Sequence, residues 1–95
     1  MKTQALKRKA KAPDIIDRAI RTFNEGDSTG AETLARRAMK KDPGNPDALH
    51  LLGMAAYTRS DLDRAETLIS RALSRRPDSG PYHYSLGLVH VARQN

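Results

Sequence analysis

Between Asp14 and Asn24 the apolar residues Ile15, Ile16, Ala19, Ile20 and Phe23 recur at spacings of three and four, which places them on one face of a helix. Glu25-Gly26-Asp27 breaks that stripe. Glycine suits the left-handed residue that ends a helix, and aspartate suits the N-cap of the next. A second stripe follows, Ala31, Leu34, Ala35, Ala38 and Met39, and runs into Lys40-Lys41 before Pro43. Lysines in a last turn complement the negative end of the helix dipole, and proline forbids continuation. The scheme then recurs. Leu49, Leu52, Gly53, Ala56 and Tyr57 form a third stripe, Ser60-Asp61 a break, and Ala65 to Leu73 a fourth that stops before Pro77. A fifth helix is predicted over 80–93, with its stripe carried by Tyr84 to Arg93.

The recurrence has a fixed register. Displaced by 34 positions, Ala31-Glu32-Thr33-Leu34 falls on Ala65-Glu66-Thr67-Leu68, Asp27 on Asp61, Arg37-Ala38 on Arg71-Ala72 and Pro43 on Pro77. A third copy begins at the same displacement, because Leu52-Gly53 falls on Leu86-Gly87. Gly53, Ala65 and Ala72, with Ala19, Ala31 and Ala38 in the first unit, supply the small side chains that paired helices about 8–10 Å apart require. A single helical hairpin cannot bury its apolar face, so such units stack on their neighbours.

These residues resemble the tetratricopeptide repeat. The second unit matches that pattern at Leu49, Leu52-Gly53, Tyr57 (one place late), Ala65, Ile69, Ala72 and Pro77. The first matches at Ile15, Ala19, Ala31, Ala35, Ala38 and Pro43, with Arg18 where leucine is usual. The third matches only at His83, Leu86-Gly87 and His90, the two histidines standing where large apolar or aromatic residues are usual. The resemblance covers residues 12–95 and implies an all-α fold: a right-handed superhelical stack of helix-turn-helix repeats, an α-α solenoid of about 2.5 repeats and five helices. The expected organisation is a basic, disordered tail over 1–11, repeats over 12–45 and 46–79, and the first helix of a third repeat over 80–95. That last helix leaves Leu86 and Val89 without the second helix they would normally face. Ser85 to Val91 is too apolar for a capping surface, so the expectation is a fragment of a longer protein, with self-association through this helix as the alternative.

Composition narrows the chemistry. Aromatic residues are only 4% of the 95, so the core must be built from Ala, Leu, Ile and Val. The absence of cysteine excludes disulfide scaffolds, thiolate zinc sites and cysteine nucleophiles. No stretch reaches the roughly 18 apolar residues of a membrane span, and the first residues lack the apolar run of a secretory signal. A cytoplasmic location is the expectation. The net charge of +6 sits mostly in residues 1–12, where Lys2, Lys7, Arg8, Lys9 and Lys11 face no acid. With no aromatic to stack a base, that tail alone does not make nucleic acid or an anionic membrane the expected partner.

No phosphate loop, zinc-protease motif or supported nucleophile triad is present, so the segment is not expected to be an enzyme by itself, nor to hold a cofactor or metal. His83 and His90 share a helix face but lack further ligands. Asp14, Asp17, Asp61 and Asp63 stand at helix starts, where they cap and meet the dipole. The family resemblance implies a concave face built from the first helix of each repeat. It would carry Ile16, Ile20, Phe23 and Asn24 from the first unit, His50, Met54 and Tyr57 from the second, and Tyr84, Leu88 and Val91 from the third. Such an apolar groove with polar handles suits a peptide or helix of a protein partner. The alternative implied by similar bacterial proteins is an N-terminal docking region of a larger glycosyltransferase- or sulfotransferase-like enzyme. The clamp by which some relatives capture acidic chaperone tails is missing, since Ile16, Ile20, Leu51, Pro81 and Ser85 occupy its positions. Arg37 and Lys41 recur as Arg71 and Arg75 in a basic stripe on the second helices.

Overall fold

Five helices follow one another in a computed structural model that describes residues 11–95: α1 Ala12–Asn24, α2 Ser28–Lys41, α3 Pro46–Thr58, α4 Leu62–Arg75 and α5 Gly80–Gln94. The expected tail lies outside the described residues except for Lys11, the N-cap residue of α1, whose backbone N–H donates to the Asp14 carboxylate at 3.4 Å.

Turns and caps repeat as the sequence does. Asp27 accepts the Gly30 N–H at 2.8 Å to open α2, and Asp61 accepts the Arg64 N–H at 3.3 Å to open α4. Gly26 and Ser60, one period apart, both adopt left-handed backbone with φ of 93° and 63°. The odd helices open differently, on Asn45 accepting from Ala48 at 3.0 Å and on Ser79 accepting from Tyr82 at 3.3 Å. Proline in the first turn of α1, α3 and α5 suits positions where no N–H is needed.

Each even helix packs on the odd helix before and after it. The odd helices also touch one another in sequence, α1 to α3 and α3 to α5, whereas α2 and α4 do not meet. The odd helices therefore form the inner face of the stack. Ala19, Ala35, Ala38, Ala55, Ala65 and Ala72 are buried completely where helices cross. Gly53 marks the tightest approach: a Cβ there would lie 2.6 Å from Ile69 Cγ1 and 3.3 Å from the Ala65 carbonyl oxygen.

Polar contacts between units follow the same period. The nearly buried Glu32 on α2 pairs with Arg59 just after α3, and one period later Glu66 on α4 accepts from Arg93 Nε of α5 at 2.8 Å. Arg93 also reaches Asp63.

The third unit departs from the sequence-based reading in three ways. Val89 is fully buried, because it faces back into the second unit and packs with Ala56, Ala65 and Ile69. Tyr82, which lies ahead of the predicted stripe, is buried at 3% exposure. His83 and His90 are exposed rather than core replacements: His83 bonds the Pro77 carbonyl at 2.7 Å and His90 faces Glu66 at 3.9 Å. Gly87, Tyr84 and Val91 remain exposed on α5, while Leu86 is half-buried against the cluster around Ile69 and Val89. A Cβ at Gly87 would have nothing within 4 Å, in contrast to Gly53 one period earlier.

Candidate binding groove

The inner face holds a cavity of about 390 Å³ where α1, α3 and the start of α5 converge. Ile20 and Phe23 of α1 and Leu51 and Met54 of α3 make its apolar walls. Ile20 is 40% exposed, an apolar side chain left open in a chain with few such groups. Asn24 stands at one side, and Asp47, His50, Arg76, Ser79, Pro81 and Tyr82 close the other.

The polar side is a connected network. The Tyr82 hydroxyl donates to Asp47, and Arg76 Nη1 reaches the same carboxylate at 3.3 Å. His50 stacks on the Tyr82 ring with centroids 4.7 Å apart, and its Nε2 shares a 2.7 Å hydrogen bond with Ser85 Oγ. Burial holds His50 below its ordinary pKa, partly opposed by the Asp47 charge, so the imidazole is neutral at pH 7. Burial, and then the hydrogen bond to Asp47, pushes the Tyr82 phenol well above its usual range. Neither group is poised to transfer protons near neutrality. The network fixes α5 against α3 and leaves the guanidinium of Arg76 half-exposed at the rim.

Five of the expected groove residues come together here: Ile20, Phe23, Asn24, His50 and Met54. The others do not line the cavity. Ile16 is 4% exposed and belongs to the core. Tyr57 is half-buried against the cluster around Ile69 and Val89. Tyr84 and Val91 are 70% and 59% exposed on α5, with Leu88 half-buried between them. Asp47, Leu51, Arg76, Ser79, Pro81 and Tyr82 line the cavity without being expected groove residues. A signal existed for Tyr82: at the 34-residue displacement it falls on Ala48, a fully buried position facing the preceding unit.

A model of the tetratricopeptide repeat family matches residues 22–87, from the end of α1 into α5. The chain belongs to this family. Its hairpin stack and the glycine at the α3–α4 crossing are the tetratricopeptide arrangement expected from the sequence. Tetratricopeptide repeats generally mediate protein–protein interaction and are typically non-catalytic. No curated protein sequence matches the chain. No helix among the described residues is long and apolar enough to cross a membrane.

Proposed function

We propose that the inner cavity binds a short segment of a protein partner by seating one bulky apolar side chain between Ile20, Phe23 and Met54. The carrying observation is the cavity itself: about 390 Å³, walled by apolar side chains and bounded by hydrogen-bonding groups on both sides. A leucine, methionine or phenylalanine of the partner fits that chemistry, while Asn24 and Arg76 offer donors to its backbone. Met54 adapts its shape to the guest, which suits recognition of a flexible segment.

The test is selection from a random peptide library displayed on phage, followed by titration of the best binders. The selected peptides should share a large apolar residue. Phe23→Ala combined with Met54→Ala should weaken them by tenfold or more, about 1.4 kcal/mol. Both residues are only partly buried, so circular dichroism should show the helices retained. Unchanged affinity in a folded double variant sinks the cavity reading.

A second reading concerns assembly. The exposed Gly87 favours self-association through α5, since glycine at this register lets a helix approach closely, as Gly53 does for α4. Light scattering at micromolar concentration should then give a mass above 10.5 kDa, and Gly87→Leu should restore the monomer. A wild-type monomer at that concentration removes this reading.

A further inference from the structure

We infer that the edge of the stack formed by the C-terminal ends of α2 and α4 docks an acidic segment of a protein partner, separately from the inner cavity. Because consecutive helices are antiparallel, one edge gathers the starts of α1, α3 and α5 with the ends of α2 and α4. The Arg75 guanidinium, which donates to the Gly44 carbonyl at 2.9 Å, shows this juxtaposition directly. On the opposite edge carboxylates outnumber arginines, and Arg59 and Arg93 are committed to Glu32, Asp63 and Glu66. On the near edge Arg37, Lys40, Lys41 and Arg71 are exposed and make no ion pair among the described residues.

The five acids on this edge, Asp14, Asp17, Asp42, Asp47 and Asp78, are fewer than its seven cations, and none pairs with those four. Asp47 is taken by Arg76 and Tyr82, Asp42 accepts from the Asn45 amide at 3.0 Å, and Asp14 accepts from the Lys11 backbone. Asp17 and Asp78 are exposed with no polar partner among the described residues. The helix dipole accounts for cations in a last turn, such as Lys40, Lys41 and Arg75. It does not account for Arg37 and Arg71, which stand about a turn further back and recur at the 34-residue period. Lys11, the N-cap residue of α1, adds to the same edge.

The edge also has a receptor for a single anionic group. Arg71, Ser74 and Arg75, with Gly44 beside them and Leu49 beneath, line a shallow depression of about 220 Å³. The Ser74 hydroxyl donates to the Ser70 carbonyl at 3.1 Å, so the donors for a carboxylate are the two guanidiniums one turn apart, Arg71 and the N–H groups of Arg75 that Gly44 does not take. The surroundings choose the partner. No aromatic side chain lines the depression to stack a base, as single-stranded nucleic acid binding requires. The exposed large apolar residues, Ile20, Tyr84 and Val91, all lie on odd helices, so α2 and α4 offer nothing to insert into a bilayer. An acidic polypeptide needs neither.

The probe is a labelled oligoglutamate peptide titrated against the full chain, with an oligouridylate of matched charge and phosphatidylserine vesicles in parallel. The peptide should bind in low salt and lose affinity as NaCl rises. Arg37→Gln, Lys41→Gln and Arg71→Gln together should weaken it roughly tenfold, at unchanged thermal stability. Phe23→Ala with Met54→Ala should leave it unaffected, which separates failure here from failure of the cavity. Equal peptide binding by the triple variant overturns the inference, as does an absence of binding to wild type. Tighter binding of the RNA or the vesicles overturns the choice of an acidic protein segment.

Discussion

Gly53→Ala should destabilise the chain by about 1–3 kcal/mol, while Gly87→Ala, its counterpart one period on, should be neutral or stabilising by up to about 1 kcal/mol. The two substitutions add the same methyl group to equivalent helical positions, so propensity favours both. Packing separates them. At Gly53 the new Cβ would stand 2.6 Å from Ile69 Cγ1, a methylene directly attached to the branched Cβ of a side chain with no exposure, and 3.3 Å from a backbone carbonyl. Neither neighbour can swing away, so α3 and α4 must separate and loosen Ala56, Ala65 and Ile69 together. At Gly87 nothing lies within 4 Å. Urea unfolding followed by far-UV circular dichroism, at concentrations where the chain is monomeric, reads the difference. For a domain of this size 1 kcal/mol moves Tm by about 4–8 °C, well within measurement. A Gly53→Ala variant as stable as wild type would mean that glycine does not set the α3–α4 distance.

That contrast also shows what the sequence could and could not convey. The 34-residue displacement located all five helices, because turns, caps and small residues are local requirements: Asp27 and Asp61 cap, and Gly53, Ala65 and Ala72 sit at crossings. Periodicity assigns a residue to a helix face, but not to the part of that face a neighbour covers. Ile16 and Ile20 lie one turn apart on the same stripe, yet Ile16 is in the core and Ile20 opens into the cavity. Val89 and Leu86 show the same limit on α5, where the preceding unit covers one and leaves the other half-buried. The polar side of the cavity was harder still. Asp47 and Tyr82 are 35 residues apart, and nothing local in either marks them as partners. The Glu32–Arg59 and Glu66–Arg93 pairs, by contrast, repeat at the period and could have been found by sliding arginines as well as apolar residues.

Tyr82→Ala should cost about 3–5 kcal/mol, as loss of a large buried aromatic does, and the loss should fall on α5. Among the described residues this helix packs on α4 and α3 alone. Tyr82 supplies its largest buried side chain, the stack on His50 and the hydroxyl donated to Asp47. In a stack where each element touches only its neighbours, the end can detach while the rest persists. Hydrogen exchange should therefore speed up across α5 well before the amides of α3. Tyr82→Phe keeps the ring and leaves Asp47 with Arg76, so it should cost only about 1 kcal/mol. The pH dependence gives an independent reading. Burial lowers the His50 pKa in the fold, so below the ordinary value near 6.5 the unfolded chain binds more protons than the native one. The stability that neutral His50 contributes is complete above that value, declines as pH falls through it, and levels off below the folded pKa. In Tyr82→Ala water reaches the imidazole, its pKa returns toward normal, and this part of the decline should disappear. A Tyr82→Ala variant with wild-type exchange in α5 and an unchanged acid slope would show that the network at the rim does not hold the last helix.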